Sequence, residues 1–282
     1  MKERPEVAIA GAGSLANSLA PALRECGYII TEIIVRDSSN SRRQARALAA
    51  RVGAQVVTAQ TATFKTKLLW FCIPDREIHA ASATLAGRTH GQVRFAFHSS
   101  GALTSRELDP LRKQGITVAS VHPLMTFVPG SRPSLSGVPF AVEGDVAAVR
   151  VARRIVRDLG GEAFVIPAAR KAAYHAWATL TSPLLLAFLV TLEDAAVAAG
   201  LTRDDSRRKS LPIIRQTLEN YARLGPNDSF SGPIIRGDVE TVAKHLAALS
   251  KYPWAREVYV ALARSALRRL PAKNRKHLSR LL

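Results

Sequence analysis

The sequence predicts an α/β protein: an N-terminal, doubly wound parallel sheet followed by an all-α C-terminal half. Three observations carry this. Apolar, β-branched runs alternate with helical segments up to about residue 166, a Gly-x-Gly-x-x-Ala turn joins the first run to the first helix, and from Ala168 onward the strand signal is lost. Strands separated by helices imply right-handed crossovers and parallel pairing. At 282 residues the chain exceeds one comfortable core, so two domains are expected, 1–167 and 168–282, with the boundary near Pro167.

Val7 to Ala10 suits a buried strand, and Leu15, Leu19 and Leu23 then recur at helical spacing. Between them lies Gly11-x-Gly13-x-x-Ala16, the pattern of the dinucleotide fingerprint. Gly11 permits the tight turn, Gly13 lets backbone approach a pyrophosphate, and Ala16 allows close helix–strand packing. The helix beginning near Ser14 and Leu15 would aim unpaired N–H groups at the phosphates. A bare tight turn is the competing reading.

The second strand, Ile29 to Val35, ends in Arg36-Asp37-Ser38-Ser39. An NAD site wants a carboxylate here for the ribose 2′-hydroxyl. Arg36 holds that point instead, with Ser38 nearby and Arg42 and Arg43 following, a set suited to a dianionic 2′-phosphate. NADP is therefore the expected cofactor. The alternatives are that Asp37 turns in to serve NAD, or that the arginines form a solvated helix face.

The alternation then continues. Arg42 to Val52 reads as helix, Gln55 to Val57 as a short strand, and Leu68 to Ile73 as a strongly buried strand ending in Pro74-Asp75. Ile78 to Leu85 reads as helix, Val93 to Phe97 as strand, Ser105 to Lys113 as helix and Thr117 to Val121 as strand. Phe140 to Val142, the amphipathic helix Val146 to Leu159 and Ala163 to Ile166 close the half. In an open parallel sheet ligands sit at the strands' carboxyl ends. Three strand ends stand out: Ile73-Pro74-Asp75 as a wall of the dinucleotide site, His98-Ser99-Ser100-Gly101 near the expected nicotinamide, and His122-Pro123. The plain reading of each is a turn bonded to its own backbone.

In the helical half, Lys171, His175, Thr179 and Ser182 recur at i, i+4, i+8 and i+11 on one face of an apolar helix, which Pro183 should kink. Buried polar groups need partners, so such a stripe packs on polar backbone or lines a ligand cavity. Further on, Ser231 to Asp238 precedes an amphipathic helix. Asp238 is a natural N-cap there, and Arg236 with the helix start suits a substrate carboxylate. No metal site is expected.

Composition excludes other classes. The chain has 40 basic and 22 acidic residues, a net charge of +18, yet only 6% aromatics, and its basic residues are spread through both halves. In the tail, Val258, Leu262, Ala266 and Leu270 form an apolar stripe with the arginines off it, which reads as a solvated helix face. No specific nucleic-acid role follows; the charge attracts anionic ligands. Ala176 to Leu192 is charge-free for 17 residues, the lower edge of a membrane span. With its Thr and Ser residues and Pro183 it reads better as a helix buried in a homodimer. The opening MKERPE lacks an apolar signal core, and Cys26 and Cys72 read as reduced thiols, so a cytoplasmic location is expected.

GAGSLA, FCIPD, HSSGAL, HPLMTF, AYHAWATL and SGPIIRGDVETVAKHL, in that order, resemble an uncharacterised family of oxidoreductases. Its members pair a Rossmann-like domain with a helical C-terminal domain of unknown function. That family is similar to pyrroline-carboxylate reductases, ketopantoate reductases and the 6-phosphogluconate dehydrogenase group. The resemblance spans nearly the whole chain and implies NADPH-dependent reduction of a C=N or C=O bond and dimerisation through the helices. In ketopantoate and hydroxyacid relatives a lysine on the first long helix donates the proton, with an asparagine one turn later. His175 and Thr179 stand at that pair here. The expected roles are proton donation by His175, orientation of the acceptor by Ser100 and His98, and an anion grip by Arg236 with Asp238. The alternatives are a non-catalytic NADP-binding sensor or scaffold, and a deazaflavin-dependent NADP reductase.

Overall fold

The computed structural model describes residues 4–89 and 91–282. Eight strands, β1 (Val7–Ala10), β2 (Ile30–Ile34), β3 (Gln55–Val57), β4 (Leu68–Phe71), β5 (Phe95–His98), β6 (Thr117–Pro123), β7 (Pro139–Gly144) and β8 (Glu162–Val165), form one sheet. Their order is β3-β2-β1-β4-β5-β6-β7-β8. Crossovers run through α1 (Ser14–Glu25), α2 (Ser39–Val52), α3 (Asp75–Ala86), α4 (Asp109–Arg112) and α5 (Val146–Asp158). Successive strand residues face opposite sides, so Val7, Ile9, Leu68 and Trp70 enter one core and Ala8, Ala10, Leu69 and Phe71 the other.

Six strands are parallel as expected, but β7 runs antiparallel to β6 and parallel to β8. The cause lies in residues 124–138, where Pro129, Gly130, Pro133 and Gly137 leave no helix to carry a crossover. A parallel neighbour needs such a crossover, and without one the chain turns back beside β6.

The chain divides into two compact units, one ending at Thr179 and the other spanning Leu180–Leu282. β8 closes just before Pro167, and α6 (Lys171–Thr181) goes largely with the sheet unit, burying Lys171, Tyr174 and Ala178. The backbone breaks at Ser182, with φ −124° and ψ −72°, and Pro183 opens the next helix, where its missing N–H costs nothing.

The second unit is helical: α7 (Pro183–Ala198), α8 (Arg203–Ser229), α9 (Pro233–Arg236), α10 (Val239–Ala248), α11 (Pro253–Arg269) and α12 (Arg275–Leu281). α8 is interrupted at Gly225, φ 76° and ψ 178°. Its core joins Val242 and Leu246 of α10 to Val260, Ala263 and Leu267 of α11 and Leu278 of α12. The apolar stripe expected on α11 is therefore displaced. Ala255, Val260, Ala263 and Leu267 are the buried set and Leu262 is exposed, because this helix is apolar on two sides and its partners α7, α9 and α12 leave the Leu262 side uncovered. Residues Ala168–Ala198 have the length and mean hydropathy, 1.6, of a membrane span, and only 6% of the most apolar window is buried.

Candidate functional site

The turn after β1 builds the first half of the site. Gly11 has φ +110°, a conformation that L side chains rarely adopt, and a Cβ there would stand 2.3 Å from the Cys72 carbonyl oxygen. Gly13 precedes α1, whose start has neither a side-chain cap nor an acidic residue in its first turn. The first N–H groups of a helix lack intrahelical partners, so those of Ser14 and Leu15 are available to an anion. A cavity of about 530 Å³ opens at this point, walled by Gly11, Gly13, Arg36, Ile73, Pro74 and Glu77 among others. Arg36 extends over it, 76% exposed, and its Nη1 meets Glu77 Oε1 at 3.2 Å. Asp37 is drawn to Arg42 at 2.8 Å, and Ser38 caps α2 by accepting from the Ser41 N–H.

The second half lies at the ends of β5 and β6 with α6 against them. His98 is fully buried and both ring nitrogens are engaged. Nε2 meets the Thr104 carbonyl at 3.0 Å, and Nδ1 accepts from the Ser100 N–H at 3.1 Å, which fixes a neutral ring. The Ser100 hydroxyl donates to Asp75 Oδ2 at 2.6 Å and accepts from the N–H groups of Ala102 and Leu103. Asp75 thereby links the cofactor-side wall to this loop. The Trp70 indole donates to Ser99 Oγ at 2.9 Å.

Lys171, 1% exposed, donates to the Ser100 carbonyl at 3.0 Å and to Ser120 Oγ at 2.7 Å. Burial lowers its pKa to about 8, against the opposing pull of Glu143 and Asp75. Its charge adds to burial in holding His98 near pKa 4 and His122 near 3. His122 Nδ1 lies 2.7 Å from the Tyr174 hydroxyl, and its ring centroid is 6.2 Å from that of His175. Gly101 lies beneath both imidazoles: a Cβ there would come within 2.6 Å of His175 Cδ2 and 2.8 Å of His122 Nε2. His175 is half-buried, and its ring makes no hydrogen bond to a described residue. The Thr179 hydroxyl donates back to the His175 carbonyl at 2.8 Å.

Of the residues singled out in the sequence, one assembly holds His98, Ser100, His175 and Asp75, with Thr179 bonded to the His175 backbone. Gly11, Gly13, Arg36, Ile73 and Pro74 wall the cavity. Arg236 and Asp238 belong to the second unit. Asp238 caps α10, accepting from the Thr241 N–H and hydroxyl, which lowers its pKa, while Arg236 is exposed and no carboxylate among the described residues pairs with it. Sequence reasoning gave no role to Lys171, Tyr174, Ser120 or Glu77. The polar stripe that begins at Lys171 was the available signal for the first of these.

Two domain matches account for this arrangement. Residues 1–123 match a Rossmann-like domain, and residues 138–266 match a domain of unknown function, DUF2520. Together the two matches span most of the chain. No curated protein matches it by sequence. Solved structures share its fold at low identity. A proposed NADP oxidoreductase of Bacteroides fragilis aligns at TM-score 0.75 and 21% identity, covering 93% of this chain and 97% of its own. A reductive aminase of Aspergillus terreus, in complex with NADPH and ethyl-5-oxohexanoate, aligns at TM-score 0.64 and 15% identity, covering 99% and 100%. A pyrroline-5-carboxylate reductase of Coxiella burnetii aligns at TM-score 0.61 and 12% identity, covering 96% and 100%. The DUF2520 match extends from β7 to α11, so in this chain it includes the helix that carries Lys171, Tyr174 and His175.

Proposed function

We propose that this Rossmann-like/DUF2520 chain is an NADPH-dependent oxidoreductase that reduces a C=N or C=O bond of a small, carboxylate-bearing substrate. The observation that carries the reading is the glycine-walled cavity at the uncapped start of α1 with Arg36 at its rim. Gly11, Gly13, Ser14 and Leu15 would hold the pyrophosphate, Arg36 and Ser38 the 2′-phosphate, and Ile73, Pro74 and Asp75 the adjoining wall. When bound, NADPH would supply a hydride to the carbon of the C=N or C=O bond.

The chain's own residues then supply the proton and the geometry. His175, half-buried and with no hydrogen bond to its ring among the described residues, is the proton donor of this reading. Lys171, Ser100, His98 and Asp75 spend their polar atoms on one another, so they act as positioning residues that hold the loop under His175. Thr179 braces the backbone of the same helix turn. Within the second unit, Asp238 fixes the start of the helix that follows Arg236, whose exposed guanidinium suits a carboxylate. The names of the fold neighbours, NADP oxidoreductase, reductive aminase and pyrroline-5-carboxylate reductase, support this class of reaction. Cys26 and Cys72 are both free, which supports a reducing, cytoplasmic setting.

The test is direct. Titrations should show NADPH binding far more tightly than NADH. Arg36→Asp should cut that preference by about a hundredfold, because a charge-assisted bond to the 2′-phosphate gives way to repulsion between two anions. NADPH oxidation should then appear with a member of a panel of cyclic imines, 2-oxo acids and oxidised deazaflavin. Equal binding of both dinucleotides, unmoved by the substitution, would overturn the cofactor assignment. Binding without turnover would favour a sensor.

The reading also includes a homodimer joined through the second unit. Leu184, Leu185 and Leu186 of α7 and Ile213 and Leu218 of α8 are exposed, a large apolar area for one chain to leave in water. Light scattering at micromolar concentration should give twice the mass of the chain. A monomer there would sink the dimer.

A further inference from the structure

We infer that Glu77 is a specificity-determining residue of the dinucleotide site: it restrains Arg36 and also offers a carboxylate to an unphosphorylated ribose. The inference rests on the cofactor reading above and asks which groups set the choice between the two dinucleotides.

The geometry is specific. Arg36 stands at the end of β2, where a carboxylate would serve a ribose hydroxyl, and Glu77 reaches the same cavity from the first turn of α3. The two meet at 3.2 Å, with Arg36 76% exposed and Glu77 only 25%, so Glu77 is the anchored partner and Arg36 the reaching one. The neighbouring carboxylate, Asp37, also lines the cavity but is 72% exposed and already paired with Arg42. The acid that a ribose diol would meet beside Arg36 is therefore supplied from across the cavity.

Charge then sets the direction of each effect. A 2′-phosphate engaging Arg36 must share it with Glu77, and two anions on one guanidinium repel. A ribose with a free 2′-hydroxyl is a hydrogen-bond donor, and a carboxylate is its preferred acceptor. Glu77 thus weakens binding of the phosphorylated dinucleotide and strengthens that of the unphosphorylated one, narrowing the preference that Arg36 creates.

The probes are 2′,5′-ADP and 5′-ADP, which differ only in the 2′-phosphate, titrated by calorimetry into the full chain. Glu77→Gln keeps the side-chain shape at this half-buried position, and an unchanged melting temperature checks the fold. It should tighten 2′,5′-ADP by about threefold to fivefold, the scale of a partly exposed ion pair removed, and weaken 5′-ADP by about tenfold, the scale of a charged acceptor removed. Arg36→Gln should do the reverse, and its gain for 5′-ADP should vanish in the double variant Arg36→Gln/Glu77→Gln, because that gain comes from the released carboxylate. If wild type binds both probes and Glu77→Gln leaves their ratio unchanged, or the gain survives in the double variant, Glu77 has no such role and the cofactor reading stands. If wild type binds neither probe, the cofactor reading falls and takes this one with it.

Discussion

His175→Ala is expected to lower kcat by about 10²–10⁴-fold while NADPH binds as before, since a positioned acid acts only in the chemical step. The expectation follows from how the nearby polar groups are spent. His98 has both nitrogens committed to backbone, the His122 ring is held to Tyr174, and Lys171 is buried on Ser100 and Ser120. His175 has no such engagement among the described residues and lies over Gly101, where nothing larger fits. Stopped-flow single turnovers with the substrate found by the panel, alongside NADPH titrations, separate the two effects. Turnover that survives His175→Ala undiminished would remove His175 as donor and leave the reductase reading intact. Tyr174 and Lys171 would then be the next substitutions.

The sheet was legible because strand periodicity and glycine punctuation are local. β1 and β3 fall where the apolar runs put them, and most other elements start or stop within a few residues of the periodic segments. Ser38 moves the start of α2 earlier than the apolar pattern implies, because a capping hydroxyl and not a hydrophobe sets that end. The antiparallel β7 was not legible from strand content. Its direction depends on what a proline-interrupted connection cannot do, a property of the linker. On α11, two apolar faces compete, and only the packing partner decides between them.

The turn glycine was legible because Gly11, at φ +110° and against the Cys72 carbonyl, leaves no room for a side chain. Arg36 lines the cavity at that turn. The second half was legible as a set of motifs but not as a network, since hydrogen bonds between Asp75, Ser100, Lys171 and Ser120 join segments far apart in the sequence. Polarity in a sequence does not say which atoms are already satisfied. Ser100 and His98 look like groups free to touch a substrate, and the structure instead spends them on the loop that carries them. Glu77 gave no signal at all, because a glutamate in the first turn of a helix is ordinary there.

That spending has a measurable consequence in acid. A buried neutral histidine whose folded pKa lies below its unfolded one binds fewer protons folded than unfolded, so stability is lost as pH falls below about 6.5 and down toward the folded pKa. His98 has a folded pKa near 4, set mainly by burial, and protonation would also break the bond its Nδ1 accepts from Ser100. The linkage relation makes this about 2 kcal/mol lost at pH 5 relative to neutral pH, and about 3 at pH 4, from His98 alone. His122, near 3 and less completely covered, adds to it in the same direction. Ordinary carboxylates barely titrate between pH 7 and 5, so urea unfolding across that window isolates the histidines. Wild type should lose stability steeply as pH falls through it. His98→Asn, which can still accept the Ser100 N–H and cannot titrate, should be weaker at pH 7 and markedly flatter with pH. An undiminished slope in that variant would mean that His98 is not held neutral by its site.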